Sequence, residues 1–255
     1  MLLAVDVGNT QTALGLYDGE ELRHMWRIAT TKTDTADELR VELLALLAAE
    51  GVVPKAVLGM ALASVVPRLT ASWAEACISL FGHEPLVVTA QTAGPLFKTG
   101  YSNPAEIGAD RVADAVAALA LYGAPAVVVD FGTATNIEVV DRRGFFIGGI
   151  IAPGMETSAN ALFAHAARLS AIDLAAPPHM VGQTTGEAMQ AGIVFGEAAR
   201  VDGLVGRVFE ELGYEAPVIA TGGLAPIVAK ASKAITCTNL ELTLVGLRLI
   251  WDGAN

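Results

Sequence analysis

Two short stretches decide the fold of this 255-residue chain: Val5-Asp6-Val7-Gly8-Asn9-Thr10 near its start and Val129-Asp130-Phe131-Gly132-Thr133-Ala134-Thr135 near its middle. Each follows an apolar run typical of a buried strand, and a second apolar run and a turn follow each of them. Because the same strand–turn–strand pattern occurs in both halves, it indicates internal duplication. The sequence therefore predicts two related domains, 1–123 and 124–255, with a cleft between them; the last helix could return to the first domain.

Strand and helix patterns alternate through the first half of the chain. Thr35 and Glu38 have the spacing of a capping box, which predicts a helix that ends near Gly51. Apolar runs and breakers predict three further elements: a strand over 56–66, a helix over 69–81 and a strand over 86–89. Strands and helices in alternation are typical of an α/β fold.

The composition excludes several classes of protein. Hydrophobic residues make up 53% and charged residues 17%, which excludes a disordered chain. A net charge of −11 argues against nucleic-acid binding by phosphate neutralisation. We expect no membrane span, because no apolar run reaches the roughly 18 residues that a span needs, and no signal peptide. With two distant cysteines, Cys77 and Cys237, the sequence predicts a cytoplasmic protein.

The two Asp-x-Gly turns contain the residue types of a phosphate site. Glycine lets the backbone approach a ligand closely, and the N–H groups of such a turn can bind phosphate oxygens. Small hydroxyl side chains flank both glycines: Thr10, Thr12, Thr133 and Thr135. Asp6 and Asp130 follow strands, where a carboxylate and a phosphate can share a Mg²⁺ ion. The alternative is a plain turn in which the aspartate bonds its own backbone, but the recurrence favours phosphate binding.

Two other stretches could belong to the same site. Thr221-Gly222-Gly223-Leu224-Ala225 follows a predicted strand, and its bare backbone could lie against a flat group, although a plain strand-to-helix turn is equally compatible. Asn103-Pro104-Ala105-Glu106 predicts the start of a helix, and Gly108-Ala109-Asp110-Arg111 follows it. An Asp-Arg pair there is usually structural, but Asp110 could also lie beside an acceptor hydroxyl. The chain lacks the P-loop and dinucleotide motifs, so we expect any nucleotide to bind through the paired turns.

Together these residues resemble type III pantothenate kinases, of the acetate/sugar kinase, heat-shock protein and actin superfamily. The resemblance covers nearly the whole chain and also includes Ser64-Val65-Val66-Pro67, Ala152-Pro153-Gly154, Glu187-Ala188-Met189-Gln190 and Leu247-Arg248-Leu249-Ile250. It implies an α/β fold of two related RNase H-like, actin-like ATPase domains, each with a mixed sheet flanked by helices. It also implies ATP-dependent phosphorylation of pantothenate to 4'-phosphopantothenate, the first step of coenzyme A biosynthesis.

The resemblance further implies roles for individual residues. ATP would be bound by Asp6, Val7, Gly8, Asn9, Thr10, Gln11, Thr12, Ala13, Thr133, Gly222 and Gly223. Pantothenate would be bound by Tyr101, Gly108, Ala109, Asp110, Arg111 and Thr185, the last supplied across a homodimer with shared active sites. Asp110 would be the catalytic base. Asp130 would bind a monovalent cation, K⁺ or NH₄⁺, and Asp6 could bind Mg²⁺ or a similar divalent cation.

Three positions depart from the family pattern: Ser102, Asn136 and Gln183. They bear on affinity and cation choice more than on reaction type. Two alternatives stay open, a kinase of the same superfamily with another small-molecule acceptor and a non-catalytic regulatory ATP-binding homologue. Long Ala-rich helices are predicted over 156–169 and 187–209, and they could pack within one chain or between two.

Overall fold

The computed structural model describes residues 1–165 and 172–254. The strands are β1 (Leu2–Val7), β2 (Gln11–Asp18), β3 (Glu21–Ala29), β4 (Gly59–Ser64), β5 (Leu86–Val87), β6 (Lys98–Thr99), β7 (Ala126–Phe131), β8 (Ala134–Val140), β9 (Phe145–Pro153), β10 (Val218–Thr221) and β11 (Cys237–Thr238). The helices are α1 (Ala36–Ala49), α2 (Pro67–Phe81), α3 (Ala109–Tyr122), α4 (Met155–His165), α5 (Thr185–Gln190), α6 (Gly196–Leu212), α7 (Ala225–Ala229) and α8 (Leu242–Ala254). None of these helices is long and apolar enough to cross a membrane.

The chain divides into two compact units, Met1–Ala117 with Glu241–Asn255, and Ala118–Leu240. The division falls within α3, upstream of the boundary at residues 123 and 124, which stays a prediction. Each unit contains a mixed sheet with helices against it, so the predicted α/β class is confirmed.

The sheet of the first unit has the strand order β3-β2-β1-β4-β5. β1 runs antiparallel to β2 and parallel to β4. Alternation along β1 buries Leu3, Val5 and Val7 in a core shared with α1 and α2. The last helix, α8, packs on β1, β2 and β4. Gly59 makes room for this helix, because a side chain there would collide with the Trp251 ring.

The sheet of the second unit repeats this arrangement. β7 runs antiparallel to β8 and parallel to β10, and β8 runs antiparallel to β9. Val127, Val129 and Phe131 are buried in a core to which α6 contributes. A register shift between Leu16 and Tyr17 in the first unit has its counterpart between Val139 and Val140 in the second. The duplication seen in the sequence therefore extends to the register of the strands.

Helix boundaries show where local patterns were sufficient. The capping box of Thr35 and Glu38 at the start of α1 is confirmed. The helix start predicted at Asn103 is present as a single 3₁₀ turn, Pro104–Glu106, with Asn103 at its N-cap position. The Asn103 side chain makes no capping bond and donates to the Glu106 carboxylate, and the α-helix α3 begins only at Ala109. A π-helical turn, Ala191–Phe195, separates α5 from α6 within the second predicted long helix. Of the first, residues 166–169 lie outside the described part of the chain.

Candidate functional site

The first Asp-x-Gly turn is tight and exposed. The Gly8 N–H donates to the Gln11 carbonyl at 3.0 Å, and a Cβ at Gly8 would lie 2.8 Å from that oxygen, so the turn requires glycine. Asn9 and Thr10 are exposed at its tip. The Thr30 N–H, just beyond β3, donates to the Thr10 carbonyl at 2.8 Å and fixes the turn from the side.

The residues beside the first turn divide into partly accessible and buried groups. Asp6 is half-buried and lies opposite Ala13 on β2 and Ala63 on β4. Val7 is part of the core. Thr12 is also buried, and its hydroxyl lies 2.8 Å from the hydroxyl of Thr30. The Thr12 side chain therefore ties β2 to the end of β3, whereas Thr10 lies at the surface.

The second turn is shorter and has more supports. The Gly132 N–H donates to the Ala134 carbonyl at 3.0 Å. The Thr133 carbonyl accepts from the Gly154 N–H at 3.0 Å and from the Thr157 hydroxyl at 2.7 Å. A Cβ at Gly154 would lie 2.6 Å from that carbonyl oxygen, so only glycine allows this approach. Thr133 itself is exposed.

Parallel pairing brings the Gly-Gly turn against the second Asp-x-Gly turn. Thr221 at the end of β10 lies beside Asp130 on β7. Gly222 follows with φ +88°, and a Cβ there would lie 2.5 Å from Asp130 Oδ1. The structure thus brings Asp130, Gly222 and Gly223 together within the second unit. A side chain at Gly222 would also collide with the Phe131 carbonyl, so only glycine allows this approach to the second turn.

The Thr135 hydroxyl, which the sequence placed among the residues of a phosphate site, is bonded within the protein. It is buried, and its hydroxyl donates to Glu197 Oε1 on α6 at 2.7 Å. Glu197 forms an ion pair with Arg200, whose Nη2 donates to the Pro153 carbonyl at 2.7 Å. Sequence reasoning missed this network. The signal was a glutamate next to Ala198, within the apolar positions that face the core on α6.

Asp110 lies in the first turn of α3. Its Oδ1 accepts the Arg111 N–H at 2.9 Å, and a side chain at Gly108 would collide with the same oxygen. Burial raises the pKa of the Asp110 carboxyl above its ordinary value, and the hydrogen bond and charge of Arg111, itself buried, oppose that rise. A carboxylate with a raised pKa is suited to accepting a proton from a bound hydroxyl.

The first unit has a cavity of about 350 Å³ whose lining ends at Ala109, the residue before Asp110 in the sequence. It is lined by Ser64, Val65, Val87, Val88, Thr89, Ala90, Gln91, Ala105, Glu106, Ile107, Gly108 and Ala109. Two of the predicted acceptor-binding residues, Gly108 and Ala109, are thus in its wall. Tyr101 is not among the lining residues; it is half-buried, and its N–H donates to the Thr99 hydroxyl at 3.1 Å.

Thr185 is the exposed first residue of α5 in the second unit. The preceding Thr184 caps the helix by accepting the Glu187 N–H at 3.2 Å, and the Gln183 N–H donates to the Glu187 carboxylate at 2.8 Å. These bonds order the backbone on both sides of Thr185 and leave its side chain at the surface.

In the described residues, no three acidic, histidine or cysteine side chains cluster into a metal cage. Mg²⁺ bound through one or two carboxylates and phosphate oxygens does not need such a cage. The half-buried carboxylate of Asp6, next to an exposed turn, has the donor chemistry for that mode of binding.

Solved structures share this fold at low sequence identity. Component A of the (R)-2-hydroxyglutaryl-CoA dehydratase of Acidaminococcus fermentans is similar with a TM-score of 0.59 and 16% identity, covering 100% of this chain and 99% of that chain. The ROK hexokinase of Thermus thermophilus is similar with a TM-score of 0.54 and 14% identity, over 100% and 99%. These likenesses confirm the predicted fold of two RNase H-like domains and show the fold alone.

Sequence comparisons are more specific. A relative from Moorella thermoacetica, named type III pantothenate kinase, is 44% identical over 256 residues, or 99% of both chains. One of the same name from Acidobacterium capsulatum is 45% identical over 262 residues, covering 99% of this chain and 94% of its own. The sequence model of the type III pantothenate kinase family matches residues 2–207. The resemblance inferred from the motifs is confirmed, and the chain belongs to the type III pantothenate kinase family.

Proposed function

We propose that this chain transfers the terminal phosphoryl group of ATP to the hydroxyl of pantothenate, giving 4'-phosphopantothenate for coenzyme A biosynthesis. The observation that carries the proposal is the full-length similarity, at about 44% identity, to relatives named type III pantothenate kinase. The raised pKa of the buried Asp110 carboxyl, and the cavity lined by the preceding residues Gly108 and Ala109, support it independently.

Asp110 is the proposed catalytic base. Its raised pKa and its place at the start of α3 suit a group that orients the attacking hydroxyl and accepts its proton. Gly108 and Ala109 would hold the acceptor through their backbone, because both line the cavity. Arg111 would hold Asp110 in position or face the pantothenate carboxylate. Tyr101 and Thr185 are proposed as further acceptor contacts.

Both turns are proposed to bind ATP. In phosphoryl transfer the protein mainly positions groups and neutralises charge. The segment Asp6–Ala13 and Thr133 would contact the phosphates, and Gly222-Gly223 would lie near the adenosine. Mg²⁺ held by Asp6 would neutralise phosphate charge, and a monovalent cation, K⁺ or NH₄⁺, would bind at Asp130. Because the overall charge of −11 does not attract an anionic nucleotide, metal ions and local hydrogen-bond donors would supply the attraction.

We also propose a cytoplasmic homodimer in which Thr185 is supplied to the site of the partner subunit. The exposed position of Thr185 is compatible with this role. Light scattering tests the dimer: we expect twice the monomer mass of 26.3 kDa, and a monomer at assay concentrations would contradict it.

The function is tested by measuring ADP release with ATP, Mg²⁺ and a panel of acceptors, with and without potassium. We expect release that depends on pantothenate and increases with potassium. Phosphorylation of a hexose and not of pantothenate would indicate another kinase of the same superfamily. No ADP release with any acceptor would favour a non-catalytic ATP-binding homologue.

A further inference from the structure

The second turn is held by a peptide group whose two ends face different partners. The Gly154 N–H donates to the Thr133 carbonyl at 3.0 Å, and the Pro153 carbonyl accepts from Arg200 Nη2 at 2.7 Å. Pro153 and Gly154 share one peptide bond, so this carbonyl and this N–H are opposite ends of one rigid plane. A change in the tilt of that plane at Pro153 must therefore change the hydrogen bond to Thr133.

Arg200 is itself held in place by a buried carboxylate. Glu197 is 5% exposed and forms an ion pair with the Arg200 guanidinium. The Thr135 hydroxyl donates to Glu197 Oε1 at 2.7 Å and accepts from Arg200 Nη2 at 3.3 Å. The pair thus contacts both the strand that leaves the turn, β8, and the end of β9. Charge-assisted hydrogen bonds of this kind are stronger and more directional than neutral ones.

The helix that carries this pair has an irregular start. The π-helical turn Ala191–Phe195 immediately precedes α6, and turns of this kind often occur at functional sites because they change the direction of side chains that follow. Glu197 and Arg200 lie in the first turns after it. Neither residue was singled out by the sequence patterns.

We propose that Glu197 and Arg200 are positioning residues for the nucleotide, acting through the Pro153–Gly154 peptide on the turn that contains Thr133. The proposal rests on the proposed function, in which this turn contacts the ATP phosphates. Both residues act on the turn without touching the nucleotide. Their effect should therefore be on ATP binding, with little effect on the acceptor or on the chemical step.

The test is calorimetric titration of the full-length protein with Mg²⁺ and ATP, without acceptor. We expect Arg200→Met to raise the Kd for ATP about tenfold, as for the loss of one hydrogen bond to a charged group. Arg200→Lys, which keeps one donor for the Pro153 carbonyl, should restore part of the affinity. Arg207→Met removes the same charge from an exposed position of α6 and should leave the Kd unchanged.

Kinetics of the same variants provide a second readout. KM for ATP should rise in Glu197→Gln and Arg200→Met, whereas kcat and KM for pantothenate should change less than twofold. KM for ATP in the double variant Glu197→Gln/Arg200→Met should be no higher than in Arg200→Met alone, because both residues act through one peptide. If Arg200→Met does not fold, Arg200→Lys and Glu197→Gln still decide the question.

Two results would overturn the inference. One is a lower melting temperature in Arg200→Met or Glu197→Gln with the wild-type Kd for ATP, which would make the pair merely structural. The other is an equal loss of affinity in Arg207→Met, which would make the effect one of overall charge. If the wild-type protein binds no ATP, the proposed function fails as well, which separates the two failures.

Discussion

The two Asp-x-Gly turns have the same strand frame but different supports. In each, the residue after the third strand donates its N–H to a carbonyl of the turn: Thr30 to Thr10 at 2.8 Å, and Gly154 to Thr133 at 3.0 Å. The first turn obtains its side-chain support locally, from the hydroxyl pair of Thr12 and Thr30.

The second turn obtains its support from distant segments. Its counterpart of Thr12 is Thr135, which bonds Glu197, 62 positions away in the sequence. Gly154 and Gly222 pack closely against the turn, each at a position where a side chain would collide with it. The difference teaches that a duplicated motif can keep its backbone while its stability comes to depend on other parts of the fold. Substitutions at matched positions should therefore have unequal effects.

The largest expected effect lies outside both turns, since neither turn supplies the proposed base. Asp110→Asn keeps the shape of the side chain and removes the proton acceptor, so turnover should fall about 10²–10⁴-fold while ATP binding persists. Asp114→Asn is a matched control on the same helix, because an amide oxygen can still accept from the Thr243 hydroxyl. Steady-state ADP release and ATP titration measure both. Near-normal turnover in Asp110→Asn would exclude the base role.

Gly222→Ala should break the second turn. The alanine would have to adopt φ +88° with its Cβ 2.5 Å from Asp130 Oδ1. We therefore expect the free energy of unfolding to fall by about 3 kcal/mol. The melting temperature should then fall by roughly 6–12 °C. Gly223→Ala, which meets nothing within 4 Å, should change stability by less than about 0.5 kcal/mol. Equal melting temperatures for the two variants would contradict the packing argument.

Removal of matched hydroxyls compares the two supports directly. Thr135→Val withdraws a hydrogen bond from the charged Glu197 and should cost about 2 kcal/mol. Thr12→Val withdraws one from a neutral hydroxyl and should cost about 1 kcal/mol. Urea unfolding monitored by circular dichroism measures the difference. A larger loss in Thr12→Val would reverse our assignment of the stronger support.

Alanine substitution of the matched glycines, Gly8 and Gly132, should affect the first turn more than the second. A Cβ at Gly8 would lie 2.8 Å from the Gln11 carbonyl, whereas one at Gly132 finds its nearest neighbour at 3.6 Å. Gly8→Ala must shift the first turn, so KM for ATP should rise about fivefold, as for a modest overpacking cost. Gly132→Ala should change it by less than about twofold, an ordinary surface effect. A larger effect at Gly132 would show that the second turn depends on more than packing.

The pH dependence of activity should reflect the ionisation of Asp110 in the first unit. Asp110 must be ionised to accept a proton, so activity falls as the pH decreases through its pKa. Because burial raises that pKa, the acid limb of kcat/KM for pantothenate should lie above the ordinary range of an aspartate. The charge of Arg111 lowers it, so Arg111→Gln should move the acid limb to higher pH. A limb that moves to lower pH would contradict this assignment.

Much of the frame could be predicted from local patterns. Recurrent Asp-x-Gly after apolar runs located both turns, and the capping box located the start of α1. At Asn103 the same reasoning located the start of a 3₁₀ turn but not the type of helix, because the Asn103 side chain bonds Glu106 and α3 begins only later. A capping pattern indicates which side-chain hydrogen bonds are possible, and the neighbouring structure determines which of them form.

The sequence by itself determined the positions of the two turns and the strand–turn–strand pattern around them, which follow from alternation, glycine and short-range hydrogen bonds that act over a few residues. It also determined the family, through the resemblance of motifs spread over nearly the whole chain. Tertiary structure alone decided which hydroxyls are buried, as in Thr12 and Thr135, and that burial raises the pKa of Asp110. Burial and partners such as Glu197 come from segments far apart in the chain, so no local pattern contains them.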